Sequence, residues 1–241
     1  MMSPGSGGER LRVLCHDADA PPLFSEYRDG KRDGYEPEVT MLIGEVLGRP
    51  VEWVFRPYGE LMAAVNAGDG DIVICGQGIT PERQEVVDFS EPYAAFDETV
   101  LVRAESGITD AEGLRGRKVA AIEASTNMAL VETFAGSIPV AFDPTSGNVW
   151  EEMIAAVRSG DVDAMVDDDI VTIPLGDEPD LEVAFTVPTR NSWGAAIRKG
   201  DAATREAVDG ALRTLKSDGR LAAAWQRWMP HLAYPFAADG R

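Results

Sequence analysis

Apolar positions along the chain fall into short blocks whose period switches between that of a strand and that of a helix. Leu11–Cys15 is an apolar run of strand length, and 37–47 carries a helical apolar stripe that stops at Gly48. Val51–Phe55 mixes aromatic and β-branched residues, as strands do; 58–67 reads as a helix stopped by Gly68; 71–75 reads as a third strand. The rhythm restarts at Lys118–Ile122, followed by a helix over 126–134, a short strand at 140–142, a helix over Val149–Ser159 closed by Gly160, and a buried strand at 164–166. A last strand over 194–198 precedes two helices, Ala202–Ser217 and 221–229. Strands alternating with helices predict an α/β fold: two doubly wound units, each a mostly parallel sheet with helices on both faces. The sequence contains no evident internal repeat or low-complexity tract.

One junction stands out. The apolar run 71–75 leads into Gly76-Gln77-Gly78-Ile79-Thr80-Pro81-Glu82-Arg83. Thr80 is a suitable helix N-cap, and Pro81 suits the first helical position, where no N–H is needed. Arg83 therefore lies in a first turn, where the helix dipole disfavours a cation unless an anion is nearby. Open α/β sheets bind ligands at this edge, beyond the carboxyl ends of their strands.

Composition narrows the partners. The 241 residues carry 22 Lys and Arg against 41 Asp and Glu, a formal charge of −19, and are enough for one or two domains with a proper core. That charge excludes a nucleic-acid interface and disfavours an anionic lipid surface. No apolar run approaches the ~20 residues of a membrane helix. Residues 1–10 have no apolar core of a signal peptide and read as a polar tail. Cys15 and Cys75 form no zinc or redox motif and read as small buried hydrophobes.

The junction and the Asp88-Phe89-Ser90-Glu91-Pro92-Tyr93 that follows resemble the family 3 solute-binding proteins, the amino-acid receptors of bacterial ABC importers. The resemblance runs from Leu11 to about Trp228. It takes in Gly34-Tyr35-Glu36-Pro37-Glu38-Val39, Leu114-Arg115-Gly116-Arg117-Lys118-Val119 and Ala195-Ala196-Ile197-Arg198-Lys199-Gly200-Asp201. It implies a periplasmic binding protein type II fold with a ligand cleft between two hinged domains. One would comprise residues 11–97 and 190–241, and the other would be inserted as residues 98–189. It implies a periplasmic or extracellular monomer that binds a small molecule without a cofactor and serves ABC transporter membrane subunits.

A free amino acid presents a carboxylate and an ammonium, and both need charged partners once desolvated. The resemblance gives the carboxylate to Arg83, with backbone N–H groups of Gly76, Gly78 and Thr80 in support. Asp163-Ala164-Met165-Val166-Asp167-Asp168-Asp169 resembles the segment whose last aspartate binds the ammonium, and that position is Asp168. Asp167 and Asp169 are a departure, since clustered carboxylates raise one another's pKa. Metal binding is not expected: apolar Met165 and Val166 interrupt an EF-hand spacing. Glu123-Ala124-Ser125-Thr126 follows a strand and opens a helix, so Ser125 and Thr126 are expected either to meet the ligand carboxylate or simply to cap that helix. Tyr58 keeps an aromatic residue of the pocket, whereas Ala20 and Gly78 stand where a ring and a hydroxyl are usual. Asp17 and Glu123 would suit a second cationic group on the ligand.

Other readings are weaker. Pro81 replaces the third glycine of a dinucleotide motif, and no Gly-x-Ser-x-Gly elbow is present. The fold also resembles that of cyclohexadienyl dehydratases, for which His16 or Glu123 would supply acid–base chemistry. A ligand-sensing module without a transporter is a further alternative. No catalytic residue is assigned.

Overall fold

The computed structural model describes residues 10–146 and 148–236; most of the expected N-terminal tail lies outside them. The described residues form two compact units, one within 10–95 and 192–236 and the other within 96–191.

The first unit begins with β1 (Leu11–Cys15) and α1 (Tyr35–Leu47). Helix α1 buries Tyr35, Glu36, Val39, Thr40 and Ile43, spaced on one face, and ends on Gly48 in the left-handed conformation (φ 65°) that suits a residue without Cβ. β2 (Val51–Phe55) follows, then a 3₁₀ turn at Tyr58–Glu60 that runs into α2 (Leu61–Ala67). β3 is only Ile72–Val73, shorter than the 71–75 expected. Beyond it lie α3 (Pro81–Val86) and β4 (Val87–Phe89).

The chain enters the second unit along β5 (Ala94–Arg103). β6 (Lys118–Ile122), α4 (Thr126–Thr133), β7 (Ile138–Phe142) and α5 (Val149–Ser159) follow. Then come β8 (Ala164–Asp168), α6 (Asp169–Gly176) and β9 (Leu181–Trp193), along which the chain returns. The sheet order is β7-β6-β8-β5-β9; β6 is parallel to β7 and β8, and β5 is antiparallel to β8. One side of the core gathers Val100, Val102, Val119, Ala121, Val131 and Val166; another gathers Leu101, Ala120, Met153, Val157 and Met165. Alternate strand residues feed opposite faces, so the sheet is covered on both.

Back in the first unit, β10 (Ala196–Arg198) completes a sheet of order β2-β1-β3-β10-β4. β1 is parallel to β2 and β3, whereas β10 is antiparallel to β3 and β4. α7 (Ala202–Ser217) and α8 (Arg220–Trp228) pack on α1. Both units are thus mixed sheets flanked by helices, less uniformly parallel than the alternation predicts. Among the described residues no helix is long and apolar enough to cross a membrane. Cys15 and Cys75 are both buried, free thiols, and burial pushes each well up from the ordinary thiol range.

Candidate functional site

In the first unit the parallel strands β1, β2 and β3 bring their carboxyl ends to one edge. His16–Asp17, Arg56–Tyr58 and Gly76–Arg83 follow those ends. Thr80 is extended (φ −121°, ψ 155°), and its Oγ1 accepts the Arg83 N–H at 3.2 Å, with Pro81 in the first turn. The cap fixes where Arg83 leaves the helix. Its guanidinium then donates from Nη1 to the Gly78 carbonyl at 2.9 Å and hydrogen-bonds the Tyr58 hydroxyl. Neither acidic neighbour in sequence neutralises it. Asp88 is engaged by Lys199 at 3.2 Å and by the Gly200 N–H at 2.9 Å, and Glu82 hydrogen-bonds its own N–H and Thr80. The half-buried Arg83 fork is held by neutral groups and keeps its charge available for an anion.

One expected ligand group here is otherwise occupied. The Gly76 N–H donates to Glu36 Oε1 at 2.7 Å, so it does not add to the Arg83 fork. Glu36 sits on the buried face of α1, also accepts the Tyr93 hydroxyl, and is pushed up from the usual carboxylate range by burial. Asp17 Oδ1 accepts the Tyr27 N–H at 2.7 Å and fastens the loop after β1. That loop is also tied by the buried Arg32, which donates to the Ser25 and His16 carbonyls (2.8 and 2.5 Å) and lies 4.7 Å from the centre of the Phe24 ring. Gly76 itself has φ 61°, and a Cβ there would lie 3.5 Å from the Trp193 ring. Tyr58 is about one-third exposed, and its hydroxyl donates to the Gly76 carbonyl at 3.4 Å. His16 faces the Arg56 carbonyl through Nδ1 at 3.3 Å.

The second unit presents an equivalent edge where β6 and β8 end. Ser125 caps α4, accepting the Met128 N–H at 3.0 Å and donating to the Ile122 carbonyl at 2.6 Å. Its hydroxyl is therefore committed to the helix, the capping alternative, while Thr126 starts the helix half-buried. Glu123 is exposed beside them. Asp168 ends β8 and is 8 % exposed, with its Oδ1 3.5 Å from the Asn127 amide. Asp167 is better satisfied: Oδ1 accepts the Asp168 N–H at 2.8 Å and Oδ2 the Trp150 indole N–H at 3.1 Å.

The electrostatics of this edge are acidic throughout. Burial, then the charges of Asp167, Glu98 and Asp169, hold Asp168 well above the usual carboxylate range. Burial and Glu98 push Asp167 up to about 7 despite its two N–H donors. Asp169 rises to about 6 through burial and Asp97, and its Oδ1 is shielded with no hydrogen-bond partner. Such a cluster stores unfavourable electrostatic energy that a cation would relieve. Among the described residues no group of three or more His, Cys, Asp or Glu is arranged to hold a metal ion.

Sequence reasoning missed Glu36, Glu98, Asn127, Trp150 and Trp193. Two left a signal. Glu36 stands in helical register with Val39, Thr40 and Ile43, and Glu98 in strand register between Phe96 and Val100, so each is a carboxylate at a core position.

Comparison with known proteins finds relatives over most of the chain. The glutamine-binding protein GlnH of a Bacillus subtilis ABC transporter is 26 % identical over 205 residues, covering 83 % of this chain and 74 % of that protein. An ancestral arginine-binding protein bound to arginine superposes with a TM-score of 0.78 at 28 % identity, covering 93 % of this chain and 100 % of that one. An ancestral amino acid-binding protein, a precursor of cyclohexadienyl dehydratase, gives a TM-score of 0.78 at 30 % identity, covering 91 % and 94 %. The family model for bacterial extracellular solute-binding proteins, family 3, matches residues 12–231, and the chain belongs to that family.

Proposed function

We propose that this protein is an extracellular receptor that captures a free amino acid for an ABC-type importer, without catalysing a reaction. Arg83 takes the ligand carboxylate, aided by Thr126 and the first N–H groups of α4; Asp168 takes the ammonium. The observation that supports the reading best is the state of Asp168. It is a buried carboxylate among other carboxylates, with a single long hydrogen bond from Asn127. A ligand ammonium supplies both the charge and the N–H donors it lacks. Arg83, positioned by a cap and held by neutral oxygens, is the complementary half. The relatives named for glutamine and arginine support the amino acid class.

The test is a thermal-shift screen against the twenty amino acids, amines and guanidino compounds, followed by calorimetry. A ligand at 100 times its Kd adds about 2.7 kcal/mol of stability. A shift with one or a few amino acids is expected. No shift, together with turnover of a prephenate-type acid, would replace the receptor by the lyase.

A further inference from the structure

We propose that Glu98 is a second carboxylate of the ammonium site, so that the cationic nitrogen of an amino acid ligand is shared between Asp168 and Glu98. This rests on the receptor reading above and adds a residue to it. β5 and β8 are antiparallel, and Glu98 is the direct partner of Asp168 in their register. Directly opposed residues point to the same face of a sheet, with Cβ atoms about 4.5–5.5 Å apart. That is the separation at which two carboxylates can grip one nitrogen.

Glu98 is 2 % exposed, and its Oε1 is shielded from solvent with no hydrogen-bond partner. Burial holds the carboxyl above the usual carboxylate range, opposed by Asn191 and Thr189 on β9, and the Asn191 Nδ2 is itself a shielded donor without a hydrogen-bond partner. A carboxylate oxygen at a core position costs stability when it has no donor. The charge of Glu98 bears on both Asp167 and Asp168, which places it in the acidic cluster. The other charges that bear on Asp168 are Asp167, its neighbour on β8, and Asp169 on α6, which itself feels Asp97 on β5; the neutral Asn127 on α4 donates to it. Asp167 has both oxygens filled, and Asp169 has its own neighbour in Asp97. Asp169 Oδ1 is also without a partner, but Asp169 opens α6, whereas Glu98 is the unpartnered carboxylate in direct register with Asp168. A primary ammonium carries three N–H donors, enough for both.

The test is calorimetry of the full chain with L-arginine and L-glutamine, from pH 5 to 9, comparing wild type, Glu98→Gln and Arg83→Ala. Glu98→Gln is expected to weaken binding by about 10- to 100-fold at neutral pH. It should also move the acid edge of binding to lower pH, because Asp168 loses a like-charged neighbour and ionises more readily. A purely structural role would leave that edge in place. If Glu98→Gln does not fold, the Glu98 side-chain carbonyl carbon of the wild type is followed by NMR with and without L-arginine or L-glutamine, and must shift on binding. Wild-type binding that Arg83→Ala abolishes, with Glu98→Gln unchanged in affinity and acid edge, or an unshifted Glu98 carbon, overturns Glu98 alone. If the wild type binds neither these two nor any other amino acid, the receptor reading falls and the proposal with it.

Discussion

The two sheet edges hold their charged side chains in opposite ways. In the first unit, Arg83 is a cation fixed before any anion arrives. The Thr80 cap sets its backbone, and the Gly78 carbonyl and Tyr58 hydroxyl set its guanidinium. None of these costs much desolvation, because the side chain stays half-buried. In the second unit, Asp168 and Glu98 are buried with too few donors, and burial holds both toward their protonated forms. The first edge is satisfied; the second keeps buried carboxylate oxygens without donors. Under the proposed function, binding energy at Arg83 would come from pre-organisation, and at Asp168 from removing an existing penalty.

The largest expected effects break either half. Arg83→Ala and Asp168→Asn should each weaken amino acid binding by at least about 100-fold, as removal of one partner of a desolvated charge pair does. Calorimetry at pH 7.5 reads this, and retained affinity in either variant would remove that edge from the site.

Stability without ligand separates the two halves by sign. The folded-state pKa values of Asp167, Asp168, Asp169 and Glu98 are raised, so the folded protein binds more protons than the unfolded chain above the ordinary carboxylate range, with Asp169 giving up its proton near 6 and Asp167 near 7. Stability from this cluster is therefore present at pH 4 and lost as pH rises toward 7. Asp168→Asn should raise the Tm at pH 8, by about 2–4 °C for each kcal/mol regained, and flatten that fall. Arg83→Ala should leave the slope of Tm against pH unchanged. Equal slopes for wild type and Asp168→Asn would contradict the strain assigned to the cluster.

Smaller effects sharpen the first edge. Thr80→Ala removes the cap of α3 and should cost about 1 kcal/mol of stability in urea unfolding. It should weaken binding less than Arg83→Ala, since the guanidinium survives. Tyr58→Phe removes one hydroxyl beside Arg83 and should weaken binding by less than about tenfold; an effect as large as that of Arg83→Ala would make Tyr58 a ligand contact in its own right.

The sequence made the same division legible only in part. β1, β2 and β6 are short, mostly apolar segments with one charged residue each (Arg12, Glu52, Lys118), and α5 and α7 end or begin at Gly160 and Asp201, so local chemistry marks them. β9 was not legible: it ends its sheet's strand order, and most of its residues are only half-buried or exposed, Pro188 and Arg190 among the exposed. An edge strand has little need of apolar alternation. Helix α6 was hidden by Pro174 and by the β-branched run Ile170–Ile173. At the site, Arg83 and Asp168 stand in linear motifs. Glu98 shows in the sequence only as a carboxylate at a core strand position; its pairing with Asp168 spans 70 positions, which periodicity cannot supply. The Gly76 N–H could not be assigned to Glu36 from sequence for the same reason.

The most direct test asks which end of the ligand each edge holds. The tightest-binding L-amino acid and its decarboxylated amine (agmatine, if arginine binds) are titrated into wild type, Arg83→Ala and Asp168→Asn. Wild type should strongly prefer the amino acid, Arg83→Ala should lose this preference, and Asp168→Asn should keep it while binding both weakly. Full preference for the amino acid in Arg83→Ala would show that its carboxylate is held elsewhere and would contradict the account.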